Sequence, residues 1–267
     1  MRRVFLIGET TLIEDGLKEF LETIGIPDWD SDAPTDSEKL IELMGRLCYF
    51  SFKPFDPELA QNPNVRLNPN VTRIRTGNRV YIENLLRSKH GSVLEHAYLN
   101  FIIIASRVFT HELVRHRVGT AFSQESQRFV RLSVVDYGYL PLCIVENDEA
   151  MKIFIEVQEF IQGKYEELLK VLNIDQASSF EIKKILTSAA RRILPNGIKT
   201  YIGFSCNLRA LRWILETRTN PAAEEEMRSI FAEMGDIVVS RYPNVFQDFE
   251  FEIVNGIKWW KPKYSKV

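Results

Sequence analysis

The residues best suited to chemistry lie in the middle of the chain, where all four histidines fall between His90 and His116. The last of them stands in Arg115-His116-Arg117, and the polar run Ser123-Gln124-Glu125-Ser126-Gln127-Arg128 follows it. Histidine and arginine are costly to bury. Their concentration beside an apolar stretch therefore predicts a site that holds an anion and polarises a ring.

A metal site is one alternative interpretation of these histidines. His111 and His116 are five residues apart, which separates them by about 140° around a helix, whereas a zinc-protease pair shares one helix face. His90 and His96 are six apart, which is also a poor interval for chelation from one helix. No Asp or Cys stands at ligand spacing, so a metal hydrolase built on all four histidines stays open but is disfavoured.

Nucleotide-binding loops and nucleophile motifs are both missing from the sequence. There is no GxGxxG after the first predicted strand and no GxxxxGKS or GxxxxGKT, so side chains must hold any bound phosphate. No serine lies in a GxSxG elbow, and no cysteine has a histidine close in sequence. Arginine suits phosphate because its planar fork makes bidentate bonds. The candidate arginines fall in three places: Arg115, Arg117 and Arg128; Arg191 and Arg192; and Arg209, Arg212 and Arg218.

The composition is that of an ordinary globular chain, with 45% hydrophobic residues, 26% charged residues and a net charge of -2. This charge indicates neither nucleic acid nor a membrane surface as a partner. The apolar run 101–105 is far shorter than the roughly 20 residues of a membrane helix. Cys48, Cys143 and Cys206 are odd in number and widely separated, which argues against a disulfide framework and favours a cytoplasmic location.

Hydrophobic periodicity predicts a mixed α/β chain without regular strand–helix alternation. Asp36 is the predicted N-cap of the second helix, Pro221 is placed in the first turn of the last helix, and 97–106 is predicted to be a central buried strand. The predicted helices cover residues 10–25, 37–44, 80–89, 109–117, 149–172, 180–194, 208–217 and 221–241. The predicted strands cover 1–8, 97–106, 129–135 and 199–207, and a long loop covers 52–78.

Five blocks, in order along the chain, resemble the flavin-dependent thymidylate synthases. The signature of that family is Arg-His-Arg, a short spacer and Ser-x-Arg, which is similar to Arg115-His116-Arg117 followed by Ser126-Gln127-Arg128. Here the spacer is one residue longer than usual, and Cys48, Glu112, Trp213 and Ala222 depart from the family pattern. The other matching segments are Gly45-Arg46-Leu47-Cys48-Tyr49, 89–96, 190–196 and 207–210, with Arg218 as the late arginine.

The resemblance implies a fold and an activity. The implied fold is α/β with a mixed, largely antiparallel central sheet flanked by helices, in a single domain over residues 1–267 with a C-terminal extension at about 245–267. The implied enzyme is a methyltransferase that converts dUMP to dTMP. Its carbon donor is 5,10-methylenetetrahydrofolate, and its hydride comes from FAD reduced by NADPH. A homotetramer with shared active sites and FAD at subunit interfaces is also implied, without a nucleic-acid or membrane partner.

The resemblance also implies a role for individual residues. Arg218 is expected to be catalytic, facing the uracil ring and favouring its N3-deprotonated form, and no metal ligand is implied. The residues expected to bind FAD are Ser92, Arg115, His116, Arg117, Gln124, Asn207, Leu208 and Arg209. The residues expected to bind dUMP are Glu112, Leu113, Val114, Arg115, Gln124, Glu125, Ser126, Gln127, Arg128, Arg191 and Arg218.

A non-enzymatic nucleotide-binding or RNA-binding protein is the other alternative. Such a protein would use the arginine clusters electrostatically, and its binding would depend steeply on salt. The net charge of -2 and the lack of an aromatic-basic RNA motif disfavour it.

Overall fold

A computed structural model describes residues 2–267. Its larger sheet has four strands in the order β1-β2-β4-β3. Backbone hydrogen bonds run from Thr10 to Tyr98 and from Ile104 to Arg3, so the first pair is antiparallel. The hydrogen bonds at the ends of the β2–β4 and β4–β3 pairs show that these strands are antiparallel as well. The predicted α/β fold with a largely antiparallel sheet is confirmed. The four strands are β1 Val4–Glu9, β2 Tyr98–Ser106, β3 Thr120–Gln124 and β4 Lys199–Asn207.

Helices make up most of the remaining regular structure, together with a C-terminal hairpin of β5 Phe249–Val254 and β6 Ile257–Pro262. Two 3-10 segments, Gly91–His96 and Arg191–Ile193, matter for the site described below. The α-helices are α1 Glu14–Thr23, α2 Asp36–Tyr49, α3 Asn78–Arg87, α4 Arg107–Leu113, α5 Leu142–Val145, α6 Asp148–Val171, α7 Phe180–Ala190, α8 Leu208–Arg218 and α9 Glu225–Arg241. No helix in residues 2–267 is both long and apolar enough to cross a membrane.

Short polar side chains begin the helices that carry candidate residues. Ser106 caps α4 by accepting from Phe109 N, and Asn207 caps α8 by accepting from Ala210 N. Two expected helix starts are wrong. Thr35, rather than Asp36, caps α2 because its hydroxyl accepts from Glu38 N. Glu224 caps α9, which leaves Pro221 in the preceding turn.

Three further elements differ from the sequence-based prediction. The helix expected over 109–117 ends at Leu113, so the Arg-His-Arg segment lies beyond it. The strand expected at 129–135 is wrong, and the strand in this region is β3, which ends five residues before the predicted strand begins. In β2, exposed Tyr98 and Ile102 alternate with buried neighbours, so one face of this central strand is partly open.

The contact pattern divides the chain into two compact units. The first unit contains the residues up to Phe5 together with Ile102–Arg117 and Ala121–Phe204. The second unit contains Leu6–Phe101, Val118–Thr120 and Ser205–Val267. Tyr165, Ile174 and Ala190 form a hydrophobic cluster in the first unit. The second has a cluster formed by Leu17, Leu21, Ile24, Ile26, Leu43 and Phe52.

Residues 52–77, within the long loop predicted over 52–78, contain only one short 3-10 turn, Leu59–Gln61, before α3 begins at Asn78. Phe52 is almost fully buried in the core of the second unit, and Arg66 N donates to Ile24 O at 3.0 Å. The loop is therefore anchored at several points along its length, which include the bond from Asn68 Nδ2 to Tyr49 O.

Candidate active site

A cavity of about 300 Å³ in the first unit brings three arginines together, and we call it the arginine cavity. Backbone N–H groups of Arg107 and Val108, in the first turn of α4, donate to the carbonyl oxygens of Ile198 and Asn196. The start of α4 is therefore fixed against the loop that follows the Arg191–Ile193 turn. The residues lining the cavity are Arg107, Gln127, Arg191, Arg192, Leu194, Pro195 and Asn196.

The positive charge of this cavity is not neutralised. Burial lowers the pKa of the Arg107 guanidinium, and repulsion from Arg191 lowers it further. In the part of the chain that the structure describes, neither guanidinium has a carboxylate at ion-pair distance. Arginine remains protonated at neutral pH, so the cavity holds two adjacent cations that an anion would stabilise.

Gln127 adds a hydrogen-bond donor to the same cavity. Its side chain is 93% buried, since only 7% is exposed, and its Nε2 has no hydrogen-bond partner within residues 2–267. A buried donor without a partner costs about 1–3 kcal/mol. A ligand oxygen in the arginine cavity would remove that cost, so the chemistry of Gln127, Arg107 and Arg191 suits an oxyanion.

The turn that carries Gln127 is held by its neighbours. Gln124 Nε2 donates to Thr110 Oγ1 of α4 at 3.1 Å. Glu125 N donates to the carbonyl oxygen of Tyr201 in β4 at 2.9 Å. Ser126 Oγ accepts weakly from the N–H of Arg128, whose side chain is exposed. Of the expected substrate residues, the structure thus places Gln127 and Arg191 at one cavity, with Ser126 and Arg128 on the adjoining turn.

The other expected substrate and cofactor residues of the first unit lie around the end of α4. Leu113 is fully buried in the core. Arg115 and Arg117 are exposed beyond the helix, and Glu112 and His116 are half-buried. Their assignment to a site stays a prediction.

A second cavity, of about 340 Å³, lies in the second unit, and we call it the ring cavity. Tyr49 and His90 stack in its wall with their ring centroids 6.0 Å apart. Ser92 and Arg209, both expected to bind FAD, are also in the wall. The complete lining is Gly45, Cys48, Tyr49, Leu85, Lys89, His90, Gly91, Ser92, Val93 and Arg209.

The remaining expected cofactor residues of the second unit are buried at the start of α8. Leu208 is fully buried, and Asn207 is 3% exposed because it caps the helix. Arg218 ends the same helix and is half-buried, about 14 Å along the axis from Arg209. Arg209 and Arg218 therefore belong to one rigid element.

The four histidines divide between the two units. His90 and His96 belong to the second unit, and His111 and His116 belong to the first. Among residues 2–267, no three His, Cys, Asp or Glu side chains are close enough to hold a metal ion. His90 is the histidine that lines a described cavity, where it contributes a ring surface.

Sequence reasoning missed two residues of these cavities. Arg107 was not singled out, although a Ser-Arg pair at the end of an apolar strand is a recognisable strand-to-helix junction. Tyr49 ends the segment 45–49 that resembles the family, and its aromatic ring follows no sequence pattern of its own. Both are recognised from the cavities that they line.

Comparisons with known proteins agree on one family. Residues 31–244 match the family described as Thymidylate synthase complementing protein. The flavin-dependent thymidylate synthase of Corynebacterium diphtheriae is 33% identical over 234 residues, covering 85% of each chain. The enzyme of the same name from Mycobacterium marinum is 34% identical over 252 residues, covering 93% of this chain and 90% of the relative.

A solved structure supports the fold. The UMP/dUMP methylase PolB from Streptomyces cacaoi, bound with 5-Br dUMP, superposes with a TM-score of 0.57 and covers 91% of each chain. At 17% sequence identity, this likeness concerns the fold alone. The match over residues 31–244 and the two relatives at 33% and 34% identity show that the chain belongs to the family of flavin-dependent thymidylate synthases.

Proposed function

We propose that this protein is a methyltransferase that converts dUMP to dTMP, with 5,10-methylenetetrahydrofolate as carbon donor and FAD reduced by NADPH as hydride source. The observation that carries the proposal is the arginine cavity, where two cations without a counter-charge and one unpaired buried amide surround a single space. These groups suit a phosphate monoester because guanidinium and amide N–H groups donate and phosphate oxygens accept.

The substrate phosphate is assigned to Arg107, Gln127 and Arg191. Ser126 and Arg128, on the turn beside Gln127, extend the same binding surface. The resemblance extends the site further through 112–115, Gln124 and Glu125. In this arrangement the cavity residues orient dUMP, and they take no part in moving protons.

The residues of the ring cavity fit a flavin. The stacked Tyr49–His90 pair offers an aromatic surface, Ser92 offers a hydroxyl, and the Arg209 guanidinium offers a cation for phosphate. The reduced flavin would supply the hydride, which explains the lack of a nucleophile motif in the sequence. Arg115, His116, Arg117, Gln124, Asn207 and Leu208 are further proposed cofactor contacts.

Arg218 is the proposed catalytic residue. An arginine stays protonated at neutral pH, so it can stabilise negative charge that develops on the uracil ring without losing a proton itself. Its position at the end of α8 gives it a rigid support. We expect Arg218→Ala to bind FAD and to fold normally but to lose dUMP methylation by about 100-fold or more, as when an oxyanion donor is removed. Wild-type turnover in this variant would remove Arg218 from the mechanism.

The central experiment measures cofactor binding and turnover separately. Purified protein mixed with FAD is expected to show protein-bound flavin absorption. With NADPH and methylenetetrahydrofolate, it is expected to release tritium from 5-labelled dUMP. Failure to bind flavin under any condition would reject the proposal. Salt-dependent RNA binding without flavin would instead support the non-enzymatic alternative, which neither the family nor the net charge of -2 favours.

The folate and NADPH co-substrates, the homotetramer with shared active sites and the single domain over 1–267 complete the proposal. We also propose a cytoplasmic location, following the expectation from the cysteines. The cytoplasmic location rests on composition, and the other properties rest on the family resemblance. Size-exclusion chromatography with light scattering tests the tetramer directly.

A further inference from the structure

The C-terminal segment, residues 263–267, runs along α8 and is fixed to it by side-chain contacts. Arg212 makes a buried bidentate ion pair with Asp248, and its Nη2 also donates to the carbonyl oxygen of Tyr264 at 3.2 Å. Tyr264 N donates to Asp248 Oδ2 at 3.0 Å. Ser265 Oγ donates to Glu216 Oε1 at 2.6 Å. The segment is therefore held by two charged side chains of α8, Arg212 and Glu216, which lie one turn apart.

The third contact of this segment is with Arg209, at the wall of the ring cavity. Arg209 Nε donates to the carbonyl oxygen of Val267 at 2.9 Å, and its Nη1 pairs with Glu95. Gly91 packs against both, since a Cβ there would lie 2.5 Å from Val267 C and 2.7 Å from Arg209 Nε. The guanidinium is consequently held from two sides, with no room for a methyl group beneath it.

The spacing along α8 explains why one segment reaches all three side chains. Arg209, Arg212 and Glu216 follow a spacing of three and then four residues, so they lie on one face of the helix. Residues 264–267 lie along that face, with Val267 at the first turn of α8. Its last described contact is the one with Arg209.

We propose that the C-terminal segment is a brace that positions the Arg209 guanidinium at the ring cavity to receive the phosphate of a flavin nucleotide. The proposal rests on the proposed function, which places FAD in this cavity. An arginine side chain that is free in solution loses rotamer freedom when it binds a ligand, whereas one already fixed by Val267 and Glu95 loses little. The brace thus raises cofactor affinity without touching the cofactor.

A double-mutant cycle tests the brace through FAD affinity, measured by quenching of flavin fluorescence. Deleting residues 265–267 removes the Val267 carbonyl and the Ser265–Glu216 bond. In the wild-type background, we expect FAD to bind about tenfold more weakly, a change typical of losing a hydrogen bond to a charged group. In the Arg209→Ala background, the same deletion is expected to change the affinity by less than about twofold, because its target is already absent.

Two further variants control the deletion. Lys266→Ala removes the exposed positive side chain but keeps the Val267 carbonyl, so FAD affinity is expected to be unchanged. Gly91→Ala displaces the segment without shortening the chain. Because Gly91 also lines the ring cavity, the substitution is made in both backgrounds, and we expect it to weaken FAD binding in the wild type but to change it by less than about twofold with Arg209→Ala. If the protein that lacks residues 265–267 does not fold, Gly91→Ala tests the brace in its place.

The FAD affinities of these variants decide whether the C-terminal segment acts as a brace. An equal loss in both backgrounds would show a merely structural role, and unchanged or tighter FAD binding after the deletion would also overturn the proposal. If the wild-type protein bound no FAD, the proposed function would fail and the brace with it. If the wild type binds FAD and only the cycle gives the wrong result, the brace alone is rejected.

Discussion

At the scale of single residues, the strongest functional feature is two arginines that face one space without a carboxylate. Like charges this close repel, and burial of Arg107 adds to the cost of its charge. The chain tolerates the arrangement although it offers Glu and Asp partners to arginines elsewhere, as in the Arg131–Asp175 pair. An anionic ligand is the simplest source of the missing counter-charge.

Arg107→Ala is expected to weaken dUMP binding by about tenfold or more, because a charge-assisted hydrogen bond to phosphate is lost. FAD binding should be unchanged, since the ring cavity does not include this residue. Equilibrium dialysis with labelled dUMP and flavin fluorescence measure the two affinities. Arg131→Ala is the matched control, because it removes a surface arginine of the same unit that pairs with Asp175. Equal dUMP affinity in both variants would contradict the phosphate assignment.

The sequence allowed part of this site to be predicted. Arg191 and Gln127 were expected at the substrate because they belong to motif blocks, and the structure places both at the arginine cavity. Arg107 was missed because its role depends on the loop 195–198 folding back against α4. That contact joins residues about 90 apart in sequence, which no local pattern reports.

At the scale of elements, Gly119 sets the path of the Arg117–Ser126 spacer. Gly119 has φ of +68°, and its carbonyl oxygen accepts from Asn207 N at 2.9 Å. A Cβ at this position would overlap the Asn207 amide, lying 2.8 Å from Cγ. The spacer therefore turns at a glycine and passes directly over the N-cap of α8.

Gly119→Ala is expected to destabilise the protein by about 2 kcal/mol or more, because a left-handed conformation and an overlap with Asn207 act together. Chemical denaturation measures the change. Gly163→Ala is the control, since Gly163 lies in the middle of α6 with nothing near its missing Cβ. That variant should be neutral or more stable by up to about 1 kcal/mol. A Gly119→Ala protein as stable as wild type would show that the spacer can move away from α8.

The elements themselves were predictable where periodicity was long. β4 has the predicted bounds, and α6 differs from its predicted range by one residue at each end. β3 was missed because it has only five residues. Its side chains alternate between half-buried and exposed, and none of them is fully buried. The β5–β6 hairpin was missed although Asn255-Gly256, both with positive φ, is the strongest short hairpin pattern.

At the scale of the whole molecule, a buried carboxyl joins distant parts of the chain. Glu38, in the first turn of α2, is fully buried and accepts from the backbone N–H groups of Asn244 and Val245 and from the Thr35 hydroxyl. Burial raises the pKa of the Glu38 carboxyl above its ordinary value of 4.5, despite these donors. The folded protein therefore holds this proton more tightly than the unfolded chain does.

The tighter binding of a proton by the Glu38 carboxyl adds to the free energy of unfolding. This contribution is fully present below pH 4.5 and is lost as the pH rises through the higher pKa of the folded state. Glu38→Gln mimics the protonated form. Its melting temperature relative to wild type is therefore expected to increase as pH is raised above 4.5. Differential scanning calorimetry across pH measures this difference, and the exposed Glu58→Gln variant should show none. A Glu38→Gln difference that is constant or decreases with pH would contradict the shift.

The proposed site residues are distributed over both compact units. Arg107, Gln127 and Arg191 belong to the first unit, while Arg209 and Arg218 belong to the second. The sequence alone could not indicate this division, because the motif blocks alternate along the chain. If several copies share each site, as the family resemblance implies, a substrate residue and the catalytic arginine need not come from the same copy.

Mixing two variants that each lack one site arginine tests this sharing. Arg191→Ala and Arg218→Ala are co-expressed with different tags, and protein that carries both tags is purified and assayed for tritium release. If one copy supplies Arg191 and another supplies Arg218, random assembly leaves both residues intact in about a quarter of the sites. Arg191→Ala mixed with Arg107→Ala is the control, because both residues line one cavity of one chain and no site regains both. Recovery no greater than this control would place Arg191 and Arg218 in the site from a single copy.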